Sequence, residues 1–191
     1  MASTNASDPE TWLSDYGDIL FRYALQRVRS EAIAEDLVQD TLLAGIQGFS
    51  KFNRQSSIKT WLVGILKHKV VDHYRKNSRE SPALSESDLG DDLLTYQFDD
   101  KGHWKASLVE WDTPDELLDN EQFWQVFHLC LSRLPENMGN LFMLRTVEGL
   151  SSEDCCKVLD YKSTNHLWVV LSRTRMKLRK CLEIQWFDRR G

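Results

Sequence analysis

Several signals that mark common protein classes are missing from these 191 residues. No run of eighteen apolar residues occurs, so we expect no transmembrane helix and no direct membrane insertion. The first residues, MASTNASDPE, lack the basic and apolar segments of a secretory signal, so none is expected. A Gly-rich phosphate loop, HExxH and GxSxG are also missing, which argues against a hydrolase or a metal enzyme. With no alternating strand pattern and no repeat, helices are the expected structure.

Cysteine is scarce, with four residues at Cys130, Cys155, Cys156 and Cys181. None has CxxC spacing and all four lie in predicted helices, so a disulfide framework is not expected. Reduced thiols are typical of the cytoplasm, which is the predicted location. We interpret Cys155 and Cys156 as small buried apolar side chains. With His128 and His166 the cysteines fit no standard zinc spacing, so the sequence predicts no metal and no cofactor.

The charge is unevenly distributed along the chain. The formal net charge of −5 alone argues against a nucleic-acid partner. However, the segment from Ser78 to Glu121 holds 13 acidic and 3 basic residues, whereas the rest of the chain holds 16 acidic and 21 basic residues. We therefore predict an acidic linker between two mildly basic ends.

Helical periodicity predicts three helices in the N-terminal part. The first begins at Asp8-Pro9 and reaches about Arg29, and the second begins after Ser30. In the second helix the residues at i, i+3, i+4 and i+7 form an outward ridge, and others form the inward stripe. The ridge is Asp36, Gln39, Asp40 and Leu43, and the stripe is Ile33, Leu37, Val38, Thr41, Leu42 and Ile46.

The third predicted helix begins at Ser56 or Ser57 and ends near Lys76. Its outward positions are mostly cationic and are opposed only by Asp72; they are Lys59, Lys67, Lys69, Arg75 and Lys76. Such a helix suits a groove that follows a nucleic-acid backbone, with aromatic rings on which unpaired bases stack. Trp61 occupies a core position, so a structural role is favoured for it. We interpret His68 and His73 as surface polar residues and not as metal ligands.

Four further helices are predicted in the C-terminal part. The first begins with a capping box at Thr113-Pro114, the second runs from Pro135 to about Glu148, and Gly149 ends it. A short helix, a turn and a long helix follow from Ser151 to about Phe187, with the dimensions of a helix-turn-helix. The cations of the long helix suit DNA phosphates, but an ordinary helical hairpin with a solvated basic face stays open.

The predicted fold is therefore all-α, with two small helical domains of three and four helices. Their boundaries are residues 8–77 and 113–187, and the acidic linker spans residues 78–112. This linker contains more aromatic residues than a solvated tether needs.

Four segments, taken in order, resemble the extracytoplasmic-function (group IV) sigma factors of bacterial RNA polymerase. They are DLVQD, SSIKTWLVGILKHKVVDHYRK, LPENMGNLFMLRTVEGLSSED and LSRTRMKLRKCLE. The resemblance implies a protein without enzymatic activity that binds core RNA polymerase and directs initiation at promoters with −35 and −10 elements. It also implies an anti-sigma factor, membrane-associated or zinc-binding, that holds the protein inactive.

The resemblance also implies roles for particular residues. Asp36, Gln39, Asp40 and Leu43 would bind the clamp helices of the polymerase β′ subunit. The residues implied at the −10 element are Lys59, Trp61, Lys67, His68, Lys69, His73, Arg75, Lys76 and Asn77, with residues 77–83 capturing a flipped base. The C-terminal domain would meet the β flap and read the −35 element with Asn165, His166, Trp168, Ser172, Arg173, Arg175 and Lys177.

The sequence departs from the family at the start of the recognition helix, so the resemblance does not fix the −35 contacts in detail. The segment Asn165 to Val170 is more apolar, and one residue longer, than the start of the family's recognition helix. A ligand-responsive helix-turn-helix regulator is the alternative, and it would need a dimerisation surface and an apolar pocket.

Overall fold

The chain divides into two units, Met1–Arg79 and Glu80–Gly191. The computed structural model describes residues 8–78 of the first unit and 121–187 of the second. Most of the predicted acidic linker, the predicted helix start at Thr113-Pro114 and most of the predicted base-capturing loop lie outside the described residues.

The N-terminal unit contains three α-helices that pack against one another. They are α1 (Trp12–Val28), α2 (Glu31–Gly48) and α3 (Ile58–Ser78). Arg29 ends α1 in the left-handed conformation, and the Ser30 side chain then accepts a hydrogen bond from the backbone N–H of Ile33. The capping serine satisfies one of the unpaired donors at the start of α2, so the chain reverses within two residues.

The core of this unit is apolar and takes side chains from all three helices. Leu20 of α1, Ala34 of α2, and Leu62, Leu66 and Val70 of α3 are fully buried. Each buried leucine or valine contributes about 1.5–3 kcal/mol relative to an exposed one. At the far end of α3, the buried Tyr74 donates a hydrogen bond to the backbone carbonyl of Arg27. This contact ties α3 to the end of α1.

Trp61 belongs to an aromatic cluster and is only half-buried. Its ring stacks on Phe52, with centroids 4.6 Å apart, and meets the edge of Trp12 at 6.1 Å. The fully buried tryptophan of the cluster is Trp12 and not Trp61. The core position predicted for Trp61 was therefore only partly correct.

The inward stripe predicted for α2 was wrong at its last residue. Ile46 is 50% exposed, and Gly45 takes the buried position beside Trp12 and Leu62. Successive helical residues lie about 100° apart, so placing Gly45 inward turns Ile46 toward the solvent. A glycine is needed because the neighbouring side chains leave too little room for a larger residue.

The C-terminal unit contains four α-helices within the described residues. They are α4 (Glu121–Ser132), α5 (Glu136–Phe142), α6 (Ser152–Leu159) and α7 (Thr164–Leu182). π-helical turns continue α5 over Met143–Val147 and α7 over Glu183–Phe187. Gly149 has a φ of +71°, which favours glycine after a helix. Every regular element in the described residues is helical, and the predicted all-α class is confirmed.

The C-terminal core is centred on α7. Leu167, Leu171 and Leu178 of this helix are buried, as is Thr174, whose hydroxyl donates to the Val170 carbonyl. Trp186, beyond the end of α7, packs edge-on against Phe123 of α4 at 5.5 Å. The three leucines and Thr174 belong to the buried face of α7.

A disulfide joins Cys130 of α4 to Cys181 of α7, so the expectation that all cysteines are reduced was wrong for this pair. The two residues are 51 positions apart in the sequence, but their Cα atoms lie 5.7 Å apart because α4 packs against α7. Sequence spacing carries no signal for a pairing that depends on which helix faces meet. Cys155 is buried as predicted, and Cys156 is half-buried.

Candidate functional site

The outward ridge of α2, formed by Asp36, Gln39, Asp40 and Leu43, is exposed over its whole length. The opposite side of the helix is anchored by buried residues, among them Ala34, Leu37 and Val38. This anchoring holds the four side chains in one row at helical spacing, as predicted. The ridge therefore offers two carboxylates, an amide and an apolar end to a partner.

An apolar extension of the ridge was missed in the sequence. Leu43 and Ile46 are 56% and 50% exposed and lie three positions apart on the helix. Residues at this separation are neighbours on a helix surface. Exposed apolar side chains next to an acidic row suit a protein partner better than a nucleic acid. The inward assignment of Ile46 concealed this feature.

The predicted cationic face of α3 is partly neutralised in the structure. Lys59, Lys67, His68, Arg75 and Lys76 are exposed. The side chain of Lys69 is 28% exposed, and its Nζ lies 3.5 Å from Oδ2 of Asp40. Arg75 forms an ion pair with Asp72. Two of the five predicted cations therefore have an acidic partner.

A groove with a volume of about 560 Å³ lies between α2 and α3. Its lining includes Asp36 and Asp40 from the ridge, and Lys69, Lys76 and Asn77 from α3. His73 also lines it, and its Nε2 lies 3.2 Å from Nδ2 of Asn77. The structure thus brings the residues predicted to bind a protein and those predicted to bind DNA to the two sides of one groove. Helical periodicity within each element did not predict this.

Trp61 has one ring face covered by Phe52, in a stacked arrangement with planes 26° apart. That face is not open for stacking on a base. The tryptophan instead fixes the start of α3, from which the neighbouring Lys59 extends into solvent. This geometry favours a structural role for Trp61 and leaves Lys59 exposed beside it.

In the C-terminal unit, a serine cap begins each of the helices α6 and α7. Ser151 accepts a hydrogen bond from the backbone N–H of Asp154, and Ser163 accepts one from that of His166. The hydroxyl of Ser151 also donates to the Asp154 carboxylate, which, together with Lys157, lowers the pKa of Asp154. Asp160, in the left-handed conformation, ends α6. The start of α7 is therefore held by local hydrogen bonds.

The residues predicted at the −35 element divide into an exposed and a half-buried group. Asn165, Trp168 and Lys177 are exposed, and His166, Ser172, Arg173 and Arg175 are half-buried. Within the described residues, Nε2 of His166 and Nε and Nη1 of Arg173 are buried without a hydrogen-bond partner. Burial lowers the pKa of Arg175, and the nearby positive charge of Arg145 lowers that pKa further by a smaller amount. Arg173 and Arg175 therefore lie between the buried and the exposed faces of α7.

Arg145 is a cation that the sequence interpretation missed. It lies on the π-helical turn after α5, with its guanidinium carbon 5.4 Å from the ring centroid of Trp168. A cation at this distance from an indole face is attracted to it by about 0.5–1 kcal/mol at an exposed site. The contact holds Trp168 and adds a positive charge beside α7. Only the fold places Arg145 here, because it lies 23 positions before Trp168 in the sequence.

The charge of α7 has one sign. It carries Arg173, Arg175, Lys177, Arg179 and Lys180, and no acidic residue occurs from Tyr161 to Leu182. Arg179 forms an ion pair with Glu183 at 2.7 Å, beyond the end of the helix. The remaining cations of α7 are suited to phosphate groups.

Comparisons with known proteins identify relatives of this chain. The family model described as Sigma-70 region 2 matches residues 9–80. A probable RNA polymerase sigma factor of Haemophilus influenzae is 36% identical over 85% of this chain and 84% of its own length. The chain belongs to the family of RNA polymerase sigma factors.

Two further proteins are similar to this chain. The extracytoplasmic-function sigma factor SigX of Bacillus subtilis is 24% identical over 85% of this chain and 80% of its own length. A solved structure of the sigma factor RpoE of Bartonella quintana with the anti-sigma factor NepR has a TM-score of 0.43 and 24% identity. It covers 92% of this chain and 97% of that chain.

Membership in the sigma factor family supports the predicted function over the ligand-responsive regulator. Sigma factors are transcription initiation factors. The matched region 2 segment contains α1, α2 and α3, and therefore both sides of the groove. None of the described helices is long and apolar enough to cross a membrane, and the described residues contain no cluster of three or more ligand side chains for a metal.

Proposed function

We propose that this sigma factor binds core RNA polymerase through the α2 ridge and directs initiation at promoters with −35 and −10 elements. The observation that carries the proposal is the ridge itself, an acidic row with an apolar end on a helix whose other side is buried. The polymerase partner is the pair of clamp helices of the β′ subunit. The protein has no catalytic residues and acts in the cytoplasm.

The −10 element is held by α3. Lys59, Lys67 and Lys76 are exposed and bind phosphates, and His68 is exposed among them. Lys69 and Arg75 also bind phosphates once their ion pairs with Asp40 and Asp72 break. His73 and Asn77 contact the DNA from the side of α3 that lines the groove. Trp61 contributes by positioning Lys59. Residues 77–83 capture a flipped base at a cost of a few kcal/mol, recovered by stacking and hydrogen bonds.

The −35 element is read by α7, which acts as the recognition helix of a helix-turn-helix. Asn165 and His166 near its start face base edges, and Arg173 and Lys177 bind phosphates. Trp168, Ser172 and Arg175 support the same surface, and this unit also meets the β flap. The proposed domains are residues 8–77 and 113–187, joined by the acidic linker at 78–112.

An anti-sigma factor, membrane-associated or zinc-binding, is the proposed regulator. Its most effective target is the ridge with its apolar extension, because covering Leu43 and Ile46 removes exposed apolar area and blocks the polymerase at the same time.

Charge reversal on the ridge tests the polymerase contact. Asp36→Lys and Asp40→Lys, separately and together, should abolish binding to purified core RNA polymerase, because acidic side chains paired across an interface become repulsive. Run-off transcription on genomic promoter fragments and co-elution with core enzyme measure the effect.

Asp18→Lys is the matched control, since it makes the same charge change at an exposed position of α1. Circular dichroism should show the same helix content in all variants. Transcription at the wild-type level by the doubly reversed protein would show that the ridge does not bind polymerase.

Removing arginines from α7 tests the −35 contact. Arg173→Ala and Arg175→Ala should each weaken holoenzyme binding to a promoter with an intact −35 element, and the loss of the Arg173 phosphate contact should lower the salt dependence of that binding. Binding is compared with a promoter whose −35 element is scrambled, for which the Arg173→Ala loss should be about the same, because phosphate contacts carry no sequence information.

Lys157→Ala removes one cation from α6 and serves as the control, since Lys157 is exposed and pairs with Asp154. An unchanged footprint over the −35 element in both arginine variants would contradict this assignment of α7.

A further inference from the structure

The disulfide between Cys130 and Cys181 joins the first described helix of the C-terminal unit to the last turn of α7. Cys130 is 1% exposed, whereas Cys181 is partly accessible to solvent. The guanidinium Nη1 of Arg133 lies 3.8 Å from Sγ of Cys181. A cation this close to a sulfur favours its thiolate form in the reduced protein, and the thiolate is the reactive species.

We propose that Cys130 and Cys181 form a reversible redox switch, oxidised by hydrogen peroxide and reduced by small thiols, that sets the stability of the C-terminal unit. One step of this inference, that the protein works in the cytoplasm, rests on the proposed function. A protein that acts with polymerase in the cytoplasm meets reducing conditions, where a disulfide is usually transient or redox-sensing.

The accessibility of the two sulfurs assigns their roles. The Cys181 thiolate attacks one oxygen of hydrogen peroxide, so that an S–O bond forms, the O–O bond breaks and the released hydroxide takes up a proton as water. The Cys130 thiolate, formed by loss of the thiol proton, then attacks the sulfenic sulfur of Cys181. The S–S bond forms, the S–O bond breaks, and the departing hydroxide takes up that proton as a second water. Two thiols thus lose two electrons and two protons, and the peroxide becomes two waters.

A small thiol reduces the disulfide in two exchange steps. The thiolate of a small thiol attacks the accessible sulfur of Cys181 and Cys130 leaves as a thiolate, which takes up a proton. A second molecule of the thiol attacks the mixed disulfide, releases Cys181 and leaves as the oxidised dimer.

The two other cysteines, Cys155 and Cys156, react slowly with the oxidant. Burial raises the pKa of the Cys155 thiol to about 12, and burial also raises the pKa of Cys156. Both therefore stay protonated near neutral pH, and thiols react far more slowly than thiolates. The redox chemistry is directed to the pair that links α4 to α7.

The bond stabilises the folded C-terminal unit. It closes a loop across a sequence separation of 51, which includes α5, α6 and most of α7. Such a loop restricts the unfolded chain and thereby favours the folded one. The tethered helix carries the proposed −35 contacts, so the oxidised unit keeps its DNA-binding surface at temperatures where the reduced unit unfolds.

The test uses the full-length protein, treated either with dithiothreitol or with hydrogen peroxide followed by removal of the oxidant. Alkylation in denaturant, followed by mass spectrometry, should find all four cysteines modified in the first sample, but only Cys155 and Cys156 in the second. The melting temperature of the C-terminal unit should rise by roughly 10–20 °C on oxidation and fall again with dithiothreitol.

Cys181→Ser removes the bond at a partly exposed site, and Cys156→Ser is the matched control. The shift in melting temperature should vanish in the first variant and persist in the second. Alkylation of Cys130 and Cys181 after peroxide treatment, or equal melting temperatures of oxidised and reduced wild-type protein, would overturn the proposal.

These readouts do not depend on sigma activity. If they hold but neither form directs transcription by core polymerase, the proposed function fails and the redox pair stands. If transcription succeeds but thiol labelling shows no bond after oxidation, the redox pair fails and the proposed function stands.

Discussion

Gly45 of α2 faces buried side chains of both α1 and α3. A Cβ at this position would lie 2.7 Å from Cδ2 of Leu62 and 3.0 Å from Cζ3 of Trp12. Both neighbours are almost completely buried, so neither can move aside easily. The absence of a side chain at Gly45 therefore determines how near α2 stands to α1 and α3, and thereby the position of the ridge.

Gly45→Ala should destabilise the N-terminal unit. Overpacking in a core costs about 1–3 kcal/mol, which exceeds the roughly 0.5–1 kcal/mol that alanine gains over glycine within a helix. Gly64→Ala is the control, because its Cβ would meet nothing within 4 Å, and it should stabilise the protein. Urea unfolding monitored by tryptophan fluorescence measures both, and a gain in stability for Gly45→Ala would refute the packing argument.

At the scale of elements, α2 and α3 are connected by the ion pair between Asp40 and Lys69. The same aspartate belongs to the proposed polymerase-binding ridge, and the same lysine to the proposed DNA-binding face. Partly exposed ion pairs contribute only about 0.2–1 kcal/mol. A polymerase cation that pairs with Asp40 can therefore release Lys69 for a phosphate at little cost.

Asp40→Asn should raise the affinity of the free protein for a single-stranded −10 oligonucleotide by about two- to fivefold, because Lys69 loses its partner. Asp36→Asn removes the same charge from the same groove without breaking that ion pair, and should have a smaller effect. Fluorescence anisotropy at low salt compares the two variants. Equal gains would show that only the general loss of negative charge matters.

At the scale of the whole molecule, charge limits what the free protein can bind. The chain carries a formal charge of −5, and its basic residues are concentrated outside the segment from Ser78 to Glu121. Binding to duplex DNA depends on releasing counterions by cationic contacts, which a net negative protein provides weakly. Promoter recognition should therefore depend on core polymerase.

The free protein should bind duplex promoter DNA only in the non-specific range of about 10⁻⁴–10⁻⁶ M at physiological salt. Addition of core polymerase should produce binding that discriminates the promoter from a scrambled duplex. Filter binding over a series of salt concentrations measures both states. Sequence-specific binding by the free protein at physiological salt would favour the ligand-responsive regulator.

Much of the fold and part of the candidate site could be predicted because they depend on local patterns. Ser30, Ser151 and Ser163 cap helices by contacts within three residues, and the starts at Ser30 and Ser151 are as the sequence predicts. The exposed ridge from Asp36 to Leu43 also follows from helical spacing alone. An amphipathic helix shows its solvent side in its sequence, because each residue's direction is determined by its position.

Tertiary structure alone decided the relations between helices. The Cys130–Cys181 bond, the Asp40–Lys69 ion pair and the approach of Arg145 to Trp168 each join residues at least 23 positions apart. Such pairs depend on which helix faces meet and how closely, and at Gly45 that distance is controlled by a single missing side chain. The sequence by itself determined the helices and their exposed faces. Packing decided which charges are paired and which cysteines are joined, because these contacts exist only once the helices are assembled.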